Sequence, residues 1–327
     1  MNHLFSLSRR KMLAALPLAL GSGALVAQSA KPLRIVVGVP PGSTSDLIAR
    51  ILSEGMARTL GQPVIVENRP GAMGSLAVNA FLGAPHDGQT LLFAVNGFFA
   101  EAPYTIKVAF DPLHDVLPLA DLGGNGLVLV TNTDVPVRSL AELVAWIRAR
   151  PGKVNYGSFS PGSVSHVLGL LLAQTEKLDM THVGYRGSPP ALQDLIGGQL
   201  QFMFDAPPTS VPLIRSGKLR ALAVTSPNRL SLLPDVPTMA ELGYKTMTRT
   251  SWLALWTTPD LPVPIQVRLR SAALEAIAAP TAKNRLRELG LEYANGIPMS
   301  TEQMVRQLAQ DHAAVGETLR SVNYKPE

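Results

Sequence analysis

The stretch IVVGVPPGSTSDLIARIL, residues 35–52, runs a β-branched strand into two prolines, a glycine and three hydroxylated residues, then out into a helix with apolar residues at helical spacing. Pro40 and Pro41 stiffen the exit from the strand, Gly42 lets the backbone approach a ligand closely, and Ser43, Thr44 or Ser45 caps the helix. A helix N-terminus carries unpaired N–H donors and a partial positive charge. The corner therefore reads either as an anion-holding turn that needs no lysine or arginine, or as a plain capped strand-to-helix connection. Residues 155–172, NYGSFSPGSVSHVLGLLL, supply a counterpart in which a strand again meets serines and a glycine ahead of an apolar helix. In two-lobed α/β proteins ligands sit beyond the carboxyl ends of the strands, so two such corners would close on an acid from both sides.

Working outward, short β-branched runs alternate with helical patterns over 44–60, 73–83, 140–149, 163–174 and 189–196, which is the signature of α/β units. The pattern restarts after residue 125. A strand over 250–259 and helices over 263–278, 281–289 and 300–320 are expected to close back onto the first unit. With 327 residues, more than one ordinary core accommodates, the chain is expected to form two domains: 30–125 with 248–327, and 126–247. Capping-box spacings start at Ser139, Thr238 and Ser300, and Gly61, Gly152 and Gly290 fall where helices stop. The two halves share an alternation but show no aligned motif, so no internal repeat is assigned.

The first residues follow other rules. Arg9, Arg10 and Lys11 precede a small, apolar run up to Ala27, with no acidic residue before Ala30, which reads as a secretory leader cleaved at or beside Ser29–Ala30. Pro17, Gly21 and Gly23 break the run, which is too short to span a bilayer. SRRKML also fits a twin-arginine signal, so general secretory and twin-arginine export both stay open. Without the leader the basic count drops from 29 to 26 against 24 acidic residues, a net charge near +2. No basic run with interleaved aromatics appears, which gives nucleic acid no surface. The absence of cysteine excludes disulfides, thiolate metal sites and acylated anchoring, and the six histidines show no metal-ligand spacing. The product is expected free in the periplasm.

Seven blocks then occur in order: VVGVPPGSTSDLIARIL, GQPVIVENRPGAMG, DGQTLL, YGSFSPGSVSH, HVGYRGSPPALQDLIGGQL, GKLRALAVTS and LPDVPTMAELGY. The series, from about Leu33 to the C-terminal helices, resembles the Bug-type periplasmic receptors of tripartite tricarboxylate transporters. The resemblance implies a two-domain α/β Venus-flytrap fold of the type II kind with the ligand in the interdomain cleft. It implies capture of a small organic acid, delivery to membrane transporter subunits, no cofactor and no catalysis. Carried over, Pro41, Gly42, Ser43 and Thr44 form one carboxylate loop, and Ser158, Ser160, Gly162 and Ser163 the opposing one. Asn96, Gly97 and Phe98 lie where the family places further contacts, and Asp205 would meet the distal end of the ligand or bond to its own backbone neighbours. His166 matches the family histidine, pinning the loop or touching solute. Tyr185 would line the cleft, while His182 packs between elements, Arg69 belongs to a turn, and Trp252 and Trp256 to core or hinge.

Departures from the pattern bear on the ligand. The usual Pro-Phe-Pro-Pro-Gly-Gly reads here Gly38-Val39-Pro40-Pro41-Gly42-Ser43, which removes an aromatic wall and adds a hydroxyl. Met73 replaces a small residue, and Ala102 an asparagine. Such changes alter selectivity in a buried site. Two other readings compete: a binding protein that reports to a membrane sensor, and an exported hydrolase using Ser163 and His166. The hydrolase reading lacks the Gly-x-Ser-x-Gly elbow and a separate group to orient the histidine.

Overall fold

The computed structural model describes residues 31–293, 296–321 and 324; the leader, its cleavage bond and the export signal lie outside them. The chain opens with β1 (Leu33–Val37), α1 (Thr44–Leu60), β2 (Val64–Asn68), α2 (Ser75–Leu82), β3 (Thr90–Val95), the short α3 (Gly97–Ala100) and α4 (Ala102–Thr105), and β4 (Leu117–Asn125). It crosses into a second sheet with β5 (Val128–Asn132), α5 (Leu140–Arg148), β6 (Asn155–Ser158), α6 (Val164–Glu176), β7 (Thr181–Gly184), α7 (Ser188–Ile196), β8 (Phe202–Asp205), α8 (Pro207–Arg215) and β9 (Leu219–Val224). It returns as β10 (Ser251–Thr257), α9 (Val263–Ala278), α10 (Pro280–Glu288) and α11 (Thr301–Ser321).

The two sheets repeat one topology. Their orders are β2-β1-β3-β10-β4 and β7-β6-β8-β5-β9. In each, the first three strands run parallel and the fourth, lent by the crossover, runs antiparallel. The crossovers cover both faces with helices, so the strands read as continuous apolar runs. Leu33, Ile35 and Val37 of β1 meet Ile48, Leu52 and Met56 of α1 and Ala272 and Ala276 of α9, while Val36 points to the opposite core with Phe81, Trp252 and Trp256. The second sheet is sandwiched likewise, with Leu143 and Leu168 on one face and Leu192 and Leu195 on the other. The stacked Trp252 and Trp256 rings, 5.4 Å apart, are buried core.

Thr225 ties the two crossings together: its amide donates to the Leu127 carbonyl at 2.8 Å, its hydroxyl accepts from the Leu127 amide at 2.8 Å, and its own carbonyl accepts from Arg249 at 2.9 Å. Helix α11 leaves the first sheet and lays Val315 and Leu319 on Val167 of α6, so it packs on both lobes rather than on the first alone.

The expected helices over 44–60 and 263–278 match to the residue. β4 and α8 escaped the sequence reading, and for a stated reason: Pro118, Asp121, Gly123 and Gly124 break the strand signal, and Pro207, Pro208 and Pro212 break the helix signal. Tertiary burial overrides both. The reciprocal capping bonds at Thr238/Glu241 and Ser300/Gln303 form as their spacing requires, whereas Glu142 turns to the Arg138 amide instead.

Candidate functional site

Both corners sit at the carboxyl ends of equivalent strands, β1 and β6, each second in the order of its sheet, beside the point where successive crossovers diverge, which is where open α/β sheets leave a crevice. The structure corrects the reading of no internal repeat. Pro41-Gly42-Ser43-x-Ser45 and Pro161-Gly162-Ser163-x-Ser165 stand 120 residues apart and fold alike. Gly42 has φ 80° and Gly162 φ 77°, left-handed values that favour glycine, and the N-cap serines are extended at φ −69° and −70°. Ser43 and Ser163 each donate their amide at 3.3 Å to the carbonyl three residues back.

Their caps differ. In the first corner the Ser43 hydroxyl accepts from the Asp46 amide, and the Asp46 carboxylate accepts from the Gly42 amide at 2.8 Å. Burial works against the Asp46 charge, but bonds from Arg50, Gly42 and Asn68 outweigh it and hold the carboxyl below its usual range. The Thr44 and Ser45 amides find no acceptor among the described residues, so the first corner keeps two free donors rather than the full set. In the second corner Nδ1 of His166 takes the place of the Asp46 carboxylate, accepting from Gly162 at 3.0 Å. The Ser163 hydroxyl donates to the Ser160 carbonyl at 2.7 Å and caps nothing.

Under that loop His166 stacks on His182, with centroids 3.6 Å apart, and His182 pairs with the buried Ser158 hydroxyl at 2.7 Å. Burial drives both imidazoles down, His166 to about 3 with His182 adding to the effect, and His182 to about 4. Both are neutral loop supports at physiological pH. Ser163 and His166 share no hydrogen bond, and each is committed elsewhere, which removes the nucleophile–base contact that the hydrolase reading needs.

The remaining expected contacts divide. The Phe98 ring of α3 lies on Gly38 and Gly74, where a Cβ atom would come within 2.5 and 2.1 Å of it, so an aromatic ring stands beside the corner that lacks one at Val39. Gly97 packs against the Glu101 carboxylate. Pro41 and Gly42 are exposed, and Thr44 and Ser160 half-buried. Asn96 is framework: its amide group donates to Asp311 at 2.8 Å and its oxygen accepts from Trp252. Tyr185 gives its hydroxyl to Asp194 at 2.5 Å. Asp205 is fully buried, accepting from Ser188 at 2.5 Å and Thr209 at 2.6 Å, and burial raises its carboxyl to about 6 against those bonds.

Four residues at the cleft were not read from the sequence. Asp46 and Asn68 lock the first corner; the P-G-S-x-S repeat, had it been aligned, pairs Asp46 with His166. Thr105 covers the second corner, since a Cβ at Gly162 would lie 2.1 Å from it, and it donates to Met73 sulfur at 3.2 Å. Glu101 accepts the Val164 amide at 2.9 Å. Two large cavities, about 510 and 440 Å³, gather instead around Glu292 and Tyr293, and neither is lined by a corner residue. Among the described residues no group of acidic and histidine side chains is placed to hold a metal, and no helix is long and apolar enough to cross a membrane.

A family profile described as tripartite tricarboxylate transporter family receptor matches residues 48–323. Protein BugT of Bordetella pertussis is 34% identical over 292 residues, covering 88% of each chain. A solved structure from R. palustris with adipate superimposes with TM-score 0.80 at 27% identity, covering 92% of this chain and all of that one. MatC from Rhodopseudomonas palustris, with bound malate, gives TM-score 0.75 at 29% identity over 89% of this chain and 99% of its own.

Proposed function

Because the chain belongs to the tripartite tricarboxylate transporter receptor family, a family of solute-binding proteins, we propose that it captures a small organic anion, a carboxylate, between its two lobes and delivers it to a membrane transporter. Export through the N-terminal leader puts this receptor in the periplasm. The reading takes residues 30–125 with 248–327 as one domain, 126–247 as the other, and the paired crossings at Thr225 as the hinge.

The observation that carries it is the paired corner. Two helices begin with the same glycine–serine turn, both at the crevice of their sheets; the first leaves the Thr44 and Ser45 amides for an anion, and the first amide of the second, Val164, already holds a carboxylate, that of Glu101. Ser43 and Thr44 meet one end of the solute, Ser160, Gly162 and Ser163 the other, and Phe98 covers its apolar middle. Hinge closure then excludes bulk water and strengthens each hydrogen bond. That relatives were solved with adipate and malate supports a chain of a few carbons with a carboxylate at each end.

A thermal-shift series on the leaderless protein tests the reading, with adipate, malate and citrate each beside its amide. A ligand stabilises by mass action. The reading expects one acid to raise the melting temperature with concentration, its amide to do nothing, and Ser43→Ala with Ser163→Ala to remove the shift. Shifts from the amides alone would reject a carboxylate ligand.

A further inference from the structure

The first amide of α6 belongs to one lobe and its acceptor to the other. Val164 N–H donates to Glu101 Oε2 at 2.9 Å across 63 positions of sequence, from the helix that opens the second corner to the turn joining α3 and α4. In the equivalent place on α1, the Thr44 amide finds no acceptor among the described residues. The second corner offers the Val164 amide no acceptor of its own, because Ser163 points its hydroxyl at Ser160 and His166, at the position of Asp46, accepts from Gly162. The partial positive charge of α6 is thus answered by a carboxylate from outside its own lobe. Two neighbouring contacts align with it: Thr105 against Gly162, and Val315 with Leu319 of α11 against Val167.

We propose that Glu101 is a built-in competitor and interlobe latch: in the solute-free molecule its carboxylate holds the N-terminus of α6, and an acidic solute takes the Val164 amide only by displacing it. The competitor half rests on the carboxylate reading of the second corner; the latch half does not. The charged groups that line the same small cavity as Glu101 are Asp311 on α11 and Arg249 ahead of β10. Burial, with Asp311 adding to it and the Val164 amide opposing, raises the Glu101 carboxyl to about 7.

The test has two arms, run on the leaderless protein, Glu101→Gln and Glu101→Ala. Without solute, amide hydrogen exchange at Val164 is followed together with the radius of gyration in solution. The proposal expects exchange at Val164 to accelerate at least tenfold in Glu101→Ala with a larger radius, and Glu101→Gln, which keeps an acceptor oxygen, to stay protected and compact. Unchanged protection in Glu101→Ala overturns the latch. In the second arm adipate and malate are titrated calorimetrically. Tighter binding to Glu101→Ala than to the wild type supports competition, and weaker binding overturns it by making Glu101 a solute contact. If neither acid binds any form while the first arm behaves as expected, the latch stands and the carboxylate reading of the solute is what falls.

Discussion

The backbone amide of Gly162 donates to Nδ1 of His166 at 3.0 Å, and this bond decides the protonation of the imidazole. Nδ1 accepts, so the ring is neutral with its proton on Nε2. A protonated His166 would lose the acceptor and place a second positive charge against the N-terminus of α6, next to His182.

The first prediction follows from the sign of that shift. Both imidazoles lie below their usual value in the folded state, at about 3 and about 4, so the unfolded chain binds more protons between pH 6.5 and those values. Stability is present above pH 6.5 and is lost as pH falls, by up to about 1.4 kcal/mol per pH unit for each ring within that window. Imidazole chemical shifts should stay those of the neutral form at pH 5. Titration of either ring near pH 6.5 would show that the stack is not closed as described.

The twin glycines give a second prediction. Gly42 and Gly162 share a left-handed φ, but a Cβ at Gly42 meets nothing within 4 Å whereas one at Gly162 meets Thr105 at 2.1 Å. Gly42→Ala should cost roughly 1–2 kcal/mol from backbone strain. Gly162→Ala adds the overpacking term, for a total of roughly 2–4 kcal/mol. Denaturant midpoints at fixed m-value read the difference, and equal losses would mean that the lobes do not meet at Thr105.

Much of this architecture was legible because its determinants are local. Ser43 and Gly61 bracket α1, and their spacing alone places seventeen helical residues. The family resemblance located both corners for the same reason: a strand, a turn and a cap are neighbours in sequence. What stayed illegible lies across the cleft. Nothing near Glu101 announces Val164, and Asn96 reads equally well as a cleft residue until Asp311, 215 positions later, is seen to hold it. Asp205 shows the converse, a carboxylate at a strand end whose partners Ser188 and Thr209 arrive from two other helices. β4 was missed because burial between α11 and the sheet, not strand propensity, makes Pro118 to Gly124 extended.

A third prediction concerns Ala72, which with Met73 holds left-handed backbone, φ 45° and 47°, ahead of α2. Such residues cost roughly 1–2 kcal/mol each, and strain of this kind gathers at functional loops. Ala72 is exposed, so Ala72→Gly removes strain without opening a cavity, at the expense of a more flexible unfolded chain. The balance is a gain of about 0.5 kcal/mol in chemical denaturation. Met73→Gly should not show the same gain, since it also removes the sulfur that accepts from Thr105. A loss on Ala72→Gly would contradict the left-handed assignment.

The last prediction turns on Asp205, whose carboxyl is raised to about 6 because burial outweighs the donors Ser188, Thr209 and the Ala206 amide. A raised acid is stabilising below its unfolded value and becomes a liability as pH climbs through the folded value. The wild type should therefore lose stability from this group between about pH 4 and 6, opposite in direction to the histidine pair. Asp205→Asn cannot ionise, and its single oxygen serves one of the two hydroxyls. The variant should be the less stable at pH 4, and the gap should narrow by about 1 kcal/mol per pH unit toward pH 6 before levelling off. Denaturation at pH 4, 5, 6 and 7 measures that gap directly. The difference between the two proteins cancels the histidines, so a gap that stays constant would mean Asp205 is already charged throughout, with solvent reaching the end of β8.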